Sequence, residues 1–219
     1  MNIIFCIQNL YTYMIKKINK DKNMEKKKRN RKQLISTENY INRLFLDNSK
    51  LNVARFDLGY KKPFSNEITL EDANKDINKM LNNMRSKPSI FEHKKGYIIK
   101  REYTEAKGVH LHCVFFFDGN KILKDEHKVD KIGEYWNNEI TKGRGSYHNC
   151  NRNTYKFEGT GMIDYKDTEK RKILLENVTS YLCEEKQSIE SENEDKTNRA
   201  FTRGTLPKEK SNKGRPRSE

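Results

Sequence analysis

The strongest pattern of apolar and polar positions is Gly108-Val109-His110-Leu111-His112-Cys113-Val114-Phe115-Phe116-Phe117, closed by Asp118-Gly119-Asn120. β-Branched and aromatic residues bounded by turn formers predict a strand. Alternate side chains point to opposite faces, so His110 and His112 share one with Val114 and Phe116. Leu111, Cys113, Phe115 and Phe117 fill the other. Apolar positions on both faces past the histidines predict a central, covered strand. Upstream, Tyr97–Tyr103 (YIIKREY) predicts a second strand, and the short loop from Thr104 to Gly108 joins the two as a hairpin. Pairing Tyr103 with Val109 sets Glu102 opposite His110 and Lys100 opposite His112. A slip of one residue would send Glu102 to the far face.

Helical spacing marks the flanking segments. Ser36 or Thr37 is placed to cap a helix carrying Tyr40, Ile41, Leu44 and Phe45. Leu51–Tyr60 (LNVARFDLGY) alternates as a strand with Arg55 and Asp57 on the face of Val53; its plain alternative is an edge strand with one wet side. Thr69 and Asp72 have the spacing of a capping box. Ala73, Ile77, Met80, Leu81 and Met84 then form one apolar stripe, ended by Pro88. Asp125–Ile140 predicts a further helix with Val129, Ile132, Tyr135 and Trp136 inward. Thr141–Asn153 is polar and Gly-rich and reads as loop; His148 and Cys150 within it have nothing nearby to complete a zinc site. Gly161–Tyr165 predicts a short strand. Asp167 or Thr168 then caps a helix running to about Lys186, with Leu174, Val178, Tyr181 and Leu182 as its stripe. Helices alternating with a hairpin and single strands predict an α+β fold, helices packed on an antiparallel sheet.

Composition narrows the function classes. Of 219 residues, 33% are hydrophobic and 35% charged, and the net charge is +14, which points to a polyanion partner, nucleic acid before anionic membrane. Residues 1–32 are expected to form a basic, disordered arm, with Met24 a second candidate start. Residues 33–187 form the folded domain, and residues 188–219 a charged tail. The apolar stretch before Ile18 is too short to span a bilayer and lacks the features of a signal peptide. Cys6, Cys113, Cys150 and Cys183 include no C-x-x-C pair and suggest a reducing compartment rather than a disulfide framework.

The hairpin carries the candidate chemistry. One carboxylate and two imidazoles on one patch suit a divalent ion with positions left open for a substrate oxygen. A zinc or cupin-like metal protein is a competing reading, although no downstream Glu completes the usual pattern around His-x-His.

Several stretches share one resemblance: Val53–Tyr60 (VARFDLGY), Phe91, Gly96–Tyr103 (GYIIKREY), Lys107–Asn120 (KGVHLHCVFFFDGN), Ile132–Trp136 (IGEYW), Gly161–Asp164 (GMID), Tyr181–Gln187 (YLCEEKQ) and Phe201–Gly204 (FTRG). In that order they resemble the HUH superfamily of single-strand endonucleases, and most closely the inovirus gene-II-type replication proteins also found in prophages. The resemblance spans about residues 34–217. It implies an HUH/Rep-like fold, ferredoxin-like or RRM-like, and a rolling-circle initiator that nicks and joins DNA. Tyr181 would be the nucleophile, and Glu102, His110 and His112 would hold Mg²⁺ or Mn²⁺. It further implies single-stranded or origin DNA as substrate, host helicase and polymerase as partners, no membrane, and the cytoplasm of a bacterial host. Lys100, Arg144, Lys186, Arg203, Arg215 and Arg217 are the cations expected to meet DNA. One departure stands out: the superfamily's Tyr-x-x-Lys has Glu184 in its last position here. That departure supports an alternative, a catalytically impaired DNA-binding relative with a regulatory role.

Overall fold

The structure, a computed structural model, describes residues 24, 30–183 and 200–207. Its elements are a helix over 30–47 (α1), β1 (Lys50–Tyr60), α2 (Leu70–Asn83), the short α3 (Pro88–Phe91), β2 (Lys94–Thr104), β3 (Gly108–Asp118) and α4 (Asp125–Tyr135). There follow β4 (Gly145–Asn149), β5 (Gly161–Asp164), α5 (Thr168–Ile173), a π-helical turn over Leu174–Thr179, α6 (Ser180–Leu182) and β6 (Phe201–Arg203). The strands form one antiparallel sheet in the order β4-β1-β3-β2-β6, with β5 pairing the other end of β1. The fold class is therefore α+β, as the pattern predicts.

The hairpin has the predicted register: Tyr103 faces Val109, Glu102 faces His110 and Lys100 faces His112. Gly108 closes the connection at a φ of 66°, and a Cβ there would collide with the Ser65 carbonyl. Only glycine takes up both constraints without strain. Strand β3 is buried from Gly108 through Phe117 because each of its faces supports a separate core. Phe56, Leu58, Leu111, Cys113, Phe115 and Phe117 pack against α2 and α4 on one side. Val53, Ile98, Val114 and Phe116 pack against α1 and the helix that ends at α6 on the other. Fully burying side chains of this size contributes about 1.5–3 kcal/mol each, so the sheet's centre is the most strongly held part of the chain.

Several local expectations are corrected. Ser36 and Thr37 do not cap α1, which is already helical at residue 30 and so crosses the expected boundary at 33. Their hydroxyls face neighbours instead: Arg203 Nη2 donates to Ser36 Oγ (2.8 Å) and Cys183 Sγ to Thr37 Oγ1 (3.6 Å). Thr69 and Asp72 do form the capping box of α2, but Pro88 opens α3 rather than merely ending α2. Strand β1 is no edge: β3 lines one side, while β4 and β5 divide the other between them. The polar 141–153 stretch contains β4 and a 3₁₀ turn. In the gap between β4 and β5 the side chain of Asn151 completes the ladder, accepting from Arg55 N (2.7 Å) and donating to Val53 O (3.0 Å).

The expected tail from 188 also needs correction at residues 200–204. Phe201–Arg203 pair with Ile98–Lys100, and the Arg203 guanidinium lies 5.1 Å from the Tyr40 ring centroid. Tyr40 Oη in turn accepts from Tyr97 N (3.1 Å). Lys186, Glu184, Arg215, Arg217 and most of the arm at 1–32 lie outside the described residues.

Replacing Gly108 by Ala is expected to lower unfolding stability by at least about 1–2 kcal/mol. A urea titration checks this as a fall in midpoint at unchanged slope.

Candidate metal centre

Five side chains converge where the hairpin meets the last helix. Glu102, from β2, is 1% exposed, and a carboxylate so buried must be paired. Lys100, two residues before it on the same face, reaches Glu102 Oε1 at 2.6 Å. The other oxygen, Oε2, lies 3.1 Å from His112 Nε2 and 3.8 Å from His110 Nε2. Tyr181 Oη donates to that same oxygen at 3.0 Å and stands 3.4 Å from His112 Nε2.

Each histidine is oriented through its other nitrogen. His110 Nδ1 is 3.0 Å from the Gly108 carbonyl, which makes it the donor and turns the Nε2 lone pair inward. His112 Nδ1 lies 2.6 Å from Asp57 Oδ1, on the strand opposite. Asp57 is a member of the site that pattern reading placed on the correct face without giving it a role. Only the pairing of β1 with β3, between residues 55 apart in sequence, reveals its partner.

The donor set fits a divalent ion. Ligand atoms of Glu102, His110 and His112 lie within 4.8 Å of one another, the one such group among the described residues. Ligands about 2.0–2.2 Å from a shared ion sit roughly 3–3.5 Å apart, and Glu102 Oε2 lies 3.1 and 3.8 Å from the two Nε2 atoms, so small side-chain shifts would bring all three onto one ion. Lys100 occupies one carboxylate oxygen and leaves the other turned toward both imidazoles and Tyr181 Oη, and both imidazoles are braced from behind in the way metal-binding histidines usually are. Two imidazoles and one carboxylate leave further positions open, as a site that accepts a substrate oxygen requires.

Electrostatics follow from this packing. Burial opposes the ionised form of Glu102, yet hydrogen bonds from His112 and Lys100 prevail and bring its pKa down to about 2. Burial also opposes the His112 imidazolium, but the bonds to Asp57 and Glu102 raise its pKa to about 9. His110 moves the other way, lowered chiefly by burial. The Tyr181 phenol is pushed up to about 12 by burial and by the Glu102 charge.

Tyr181 owes its position to the π turn over Leu174–Thr179. A widened turn accommodates extra residues in a helix, so Leu174, Val178 and Leu182 recur every four positions on one buried stripe. Tyr181 is then carried off the centre of that stripe toward the histidines. Its ring stands edge-on to His112, centroids 5.4 Å apart.

The remaining cations divide by use. Lys100 is 3% exposed and committed to Glu102, so it serves the carboxylate rather than a surface phosphate. Arg203 ties β6 to α1, and exposed Arg144 bonds the Thr141 carbonyl. Beside His110 a groove of about 510 Å³ opens between Asp57, Gly59 and Ser146, with Lys62, Lys107 and His148 on its walls. Gly59 keeps its floor low, since a Cβ there would sit 3.8 Å from that of His110. A cleft of about 540 Å³ between α1 and α5 carries none of the site's groups.

The chain matches no protein-family model, no curated protein and no solved structure. No helix among the described residues is long and apolar enough to cross a membrane.

Metal binding should be coupled to one proton. At pH 7 Glu102 is ionised and His110 neutral, while His112, with its pKa near 9, must give up a proton before Nε2 can ligate. Affinity for Mn²⁺ is therefore expected to rise about tenfold per pH unit below about 9 and to level off above it. Calorimetry in buffers of different ionisation enthalpy reads the proton count. His110→Ala with His112→Ala should abolish binding, and Asp57→Asn should weaken it by about 10–100-fold.

Proposed function

We propose that this protein is a metal-dependent single-strand DNA nicking and joining enzyme, an HUH-type initiator of rolling-circle replication acting in the cytoplasm of a bacterial host. The observation that carries this reading is the approach of the Tyr181 hydroxyl to Glu102 and His112, which sets a nucleophile beside a metal-binding triad. The sequence resemblance, the net charge and the antiparallel α+β architecture, which is compatible with a ferredoxin-like arrangement, support it.

Glu102, His110 and His112 would hold Mg²⁺ or Mn²⁺, which would polarise the scissile phosphate. A phenol with a pKa near 12 is a poor nucleophile, and its proton is held by Glu102 Oε2. A cation held on that oxygen would take the place of the phenol's acceptor and offset the negative charge that disfavours the phenolate, the phenolic proton passing to solvent. Tyr181 Oη then attacks phosphorus, a P–O(Tyr) bond forms and the bond from phosphorus to the 3′-oxygen breaks. The departing 3′-oxygen takes up one proton and the phenol has lost one, so none is consumed overall. The products are a 5′-phosphotyrosine and a free 3′-hydroxyl, and the reverse attack rejoins the strand. Lys100 Nζ, 3.4 Å from the Tyr181 carbonyl and 5.1 Å from its ring centroid, holds the tyrosine over the site.

Glu184, in the place of the superfamily's lysine, favours a second reading: a DNA-binding relative that no longer cuts. One experiment separates the two. Incubation with Mn²⁺ and a library of single-stranded oligonucleotides should yield a protein–DNA adduct that survives denaturation. Tyr181→Phe, which removes only the attacking oxygen, should reduce the adduct by at least about 10³-fold, and Glu184→Lys should increase it. Binding without any adduct in the parent protein would select the second reading.

A further inference from the structure

A third, smaller cleft of about 220 Å³ lies between β1, the 155–160 loop and the π turn. Arg55, Tyr155, Lys156, Phe157 and Asn177 line it. Two of these fix its relation to the site. Arg55 precedes Asp57 by two residues on the same face of β1, and Asn177 precedes Tyr181 by four on its helix. The Arg55 guanidinium lies 5.5 Å from the Tyr155 ring centroid, and among the described residues no carboxylate bonds it. Its positive field nevertheless reaches both Asp57 and Tyr181. Lys156 Nζ is 5.4 Å from the Phe157 ring centroid, and Phe157 is 50% exposed.

A stacked guanidinium keeps its fork of N–H donors for a phosphate. Exposed aromatic faces interleaved with cations suit the bases of an unpaired strand. The cleft has room for one base and none for a duplex. We propose that it is a subsite for a single nucleotide of single-stranded DNA, with Arg55 on the phosphodiester and Tyr155 and Phe157 flanking the base. The inference rests on the DNA-processing reading above and adds to it where the strand lies: across β1, from the metal cluster to the 155–160 loop. Arg55 thereby brings to the neighbourhood of Tyr181 a cation that Glu184 does not supply.

The test is fluorescence anisotropy with fluorescein-labelled (dT)₁₂ and the full chain carrying Tyr181→Phe, so that binding is read without cleavage. Phe157→Ala, at a half-exposed position outside both cores, is expected to weaken binding at least about fivefold. Arg55→Gln should weaken it further and flatten the salt dependence by about 0.7 log units per decade, the loss of one phosphate contact. Arg55→Lys, which keeps the charge and loses the fork, should retain the slope and still bind less tightly. Binding by Phe157→Ala and Arg55→Gln within twofold of the parent, at unchanged slope, would overturn the subsite. Adduct formation by the chain with Tyr181 intact is scored separately. A chain that binds through this cleft but forms no adduct keeps the subsite and loses the nuclease reading, and the converse result removes the subsite alone.

Discussion

A carboxylate buried as deeply as that of Glu102 is the constraint on which the site depends. Withdrawing an ion from water costs several kcal/mol unless partners replace the lost solvation. Here they come from three elements: Lys100 from the same strand, His112 from its hairpin partner and Tyr181 from the last helix. Each is needed because Glu102 is there, and each is held in place by it. The cluster is thus assembled by folding itself, and an ion would enter a site whose ligands already point the right way.

How far this was legible in the sequence depended on how local each interaction is. The hairpin register could be read because its loop is short and both strands carry a patterned face; Glu102, His110 and His112 met as the spacing predicts. Asp57 could not be matched to His112, because nothing in Leu51–Tyr60 says which strand lies beside it. Strand β4, with the sequence GSYHN, and β6, with FTR, are short, polar and on the outside of the sheet. Their pairing comes from backbone groups that leave little trace in side-chain pattern. The apparent caps at Ser36 and Thr37 misled because a hydroxyl that can cap a helix can equally bond an arginine or a thiol within one. The four-residue recurrence of Leu174, Val178 and Leu182 was the visible sign of the π turn, and a strict 3.6-residue reading hides it.

The two cores divide the labour along β3. One face is apolar for the whole strand and anchors α2 and α4. The other is apolar at Val114 and Phe116 and turns polar at His110 and His112. The candidate ligands Glu102, His110 and His112 therefore stand on the buried centre of the sheet, while Tyr181 stands on a helix interrupted by a wide turn. Under the proposed nicking reaction, this division would let the tyrosine leave Glu102 for a phosphate while the histidines stay in place.

Asn151 has a consequence of a different kind. One amide side chain, by bonding Val53 and Arg55, stands in for a strand between β4 and β5. The sheet therefore closes without any contribution from residues 153–160, which leave it and return to it on either side of the cleft at Arg55. A lineage can lengthen, shorten or rewrite that loop and keep every strand in register, as long as this asparagine stays. The surface beside Arg55 is thus free to change at little cost to the fold, while the histidine strand keeps its neighbours and its register.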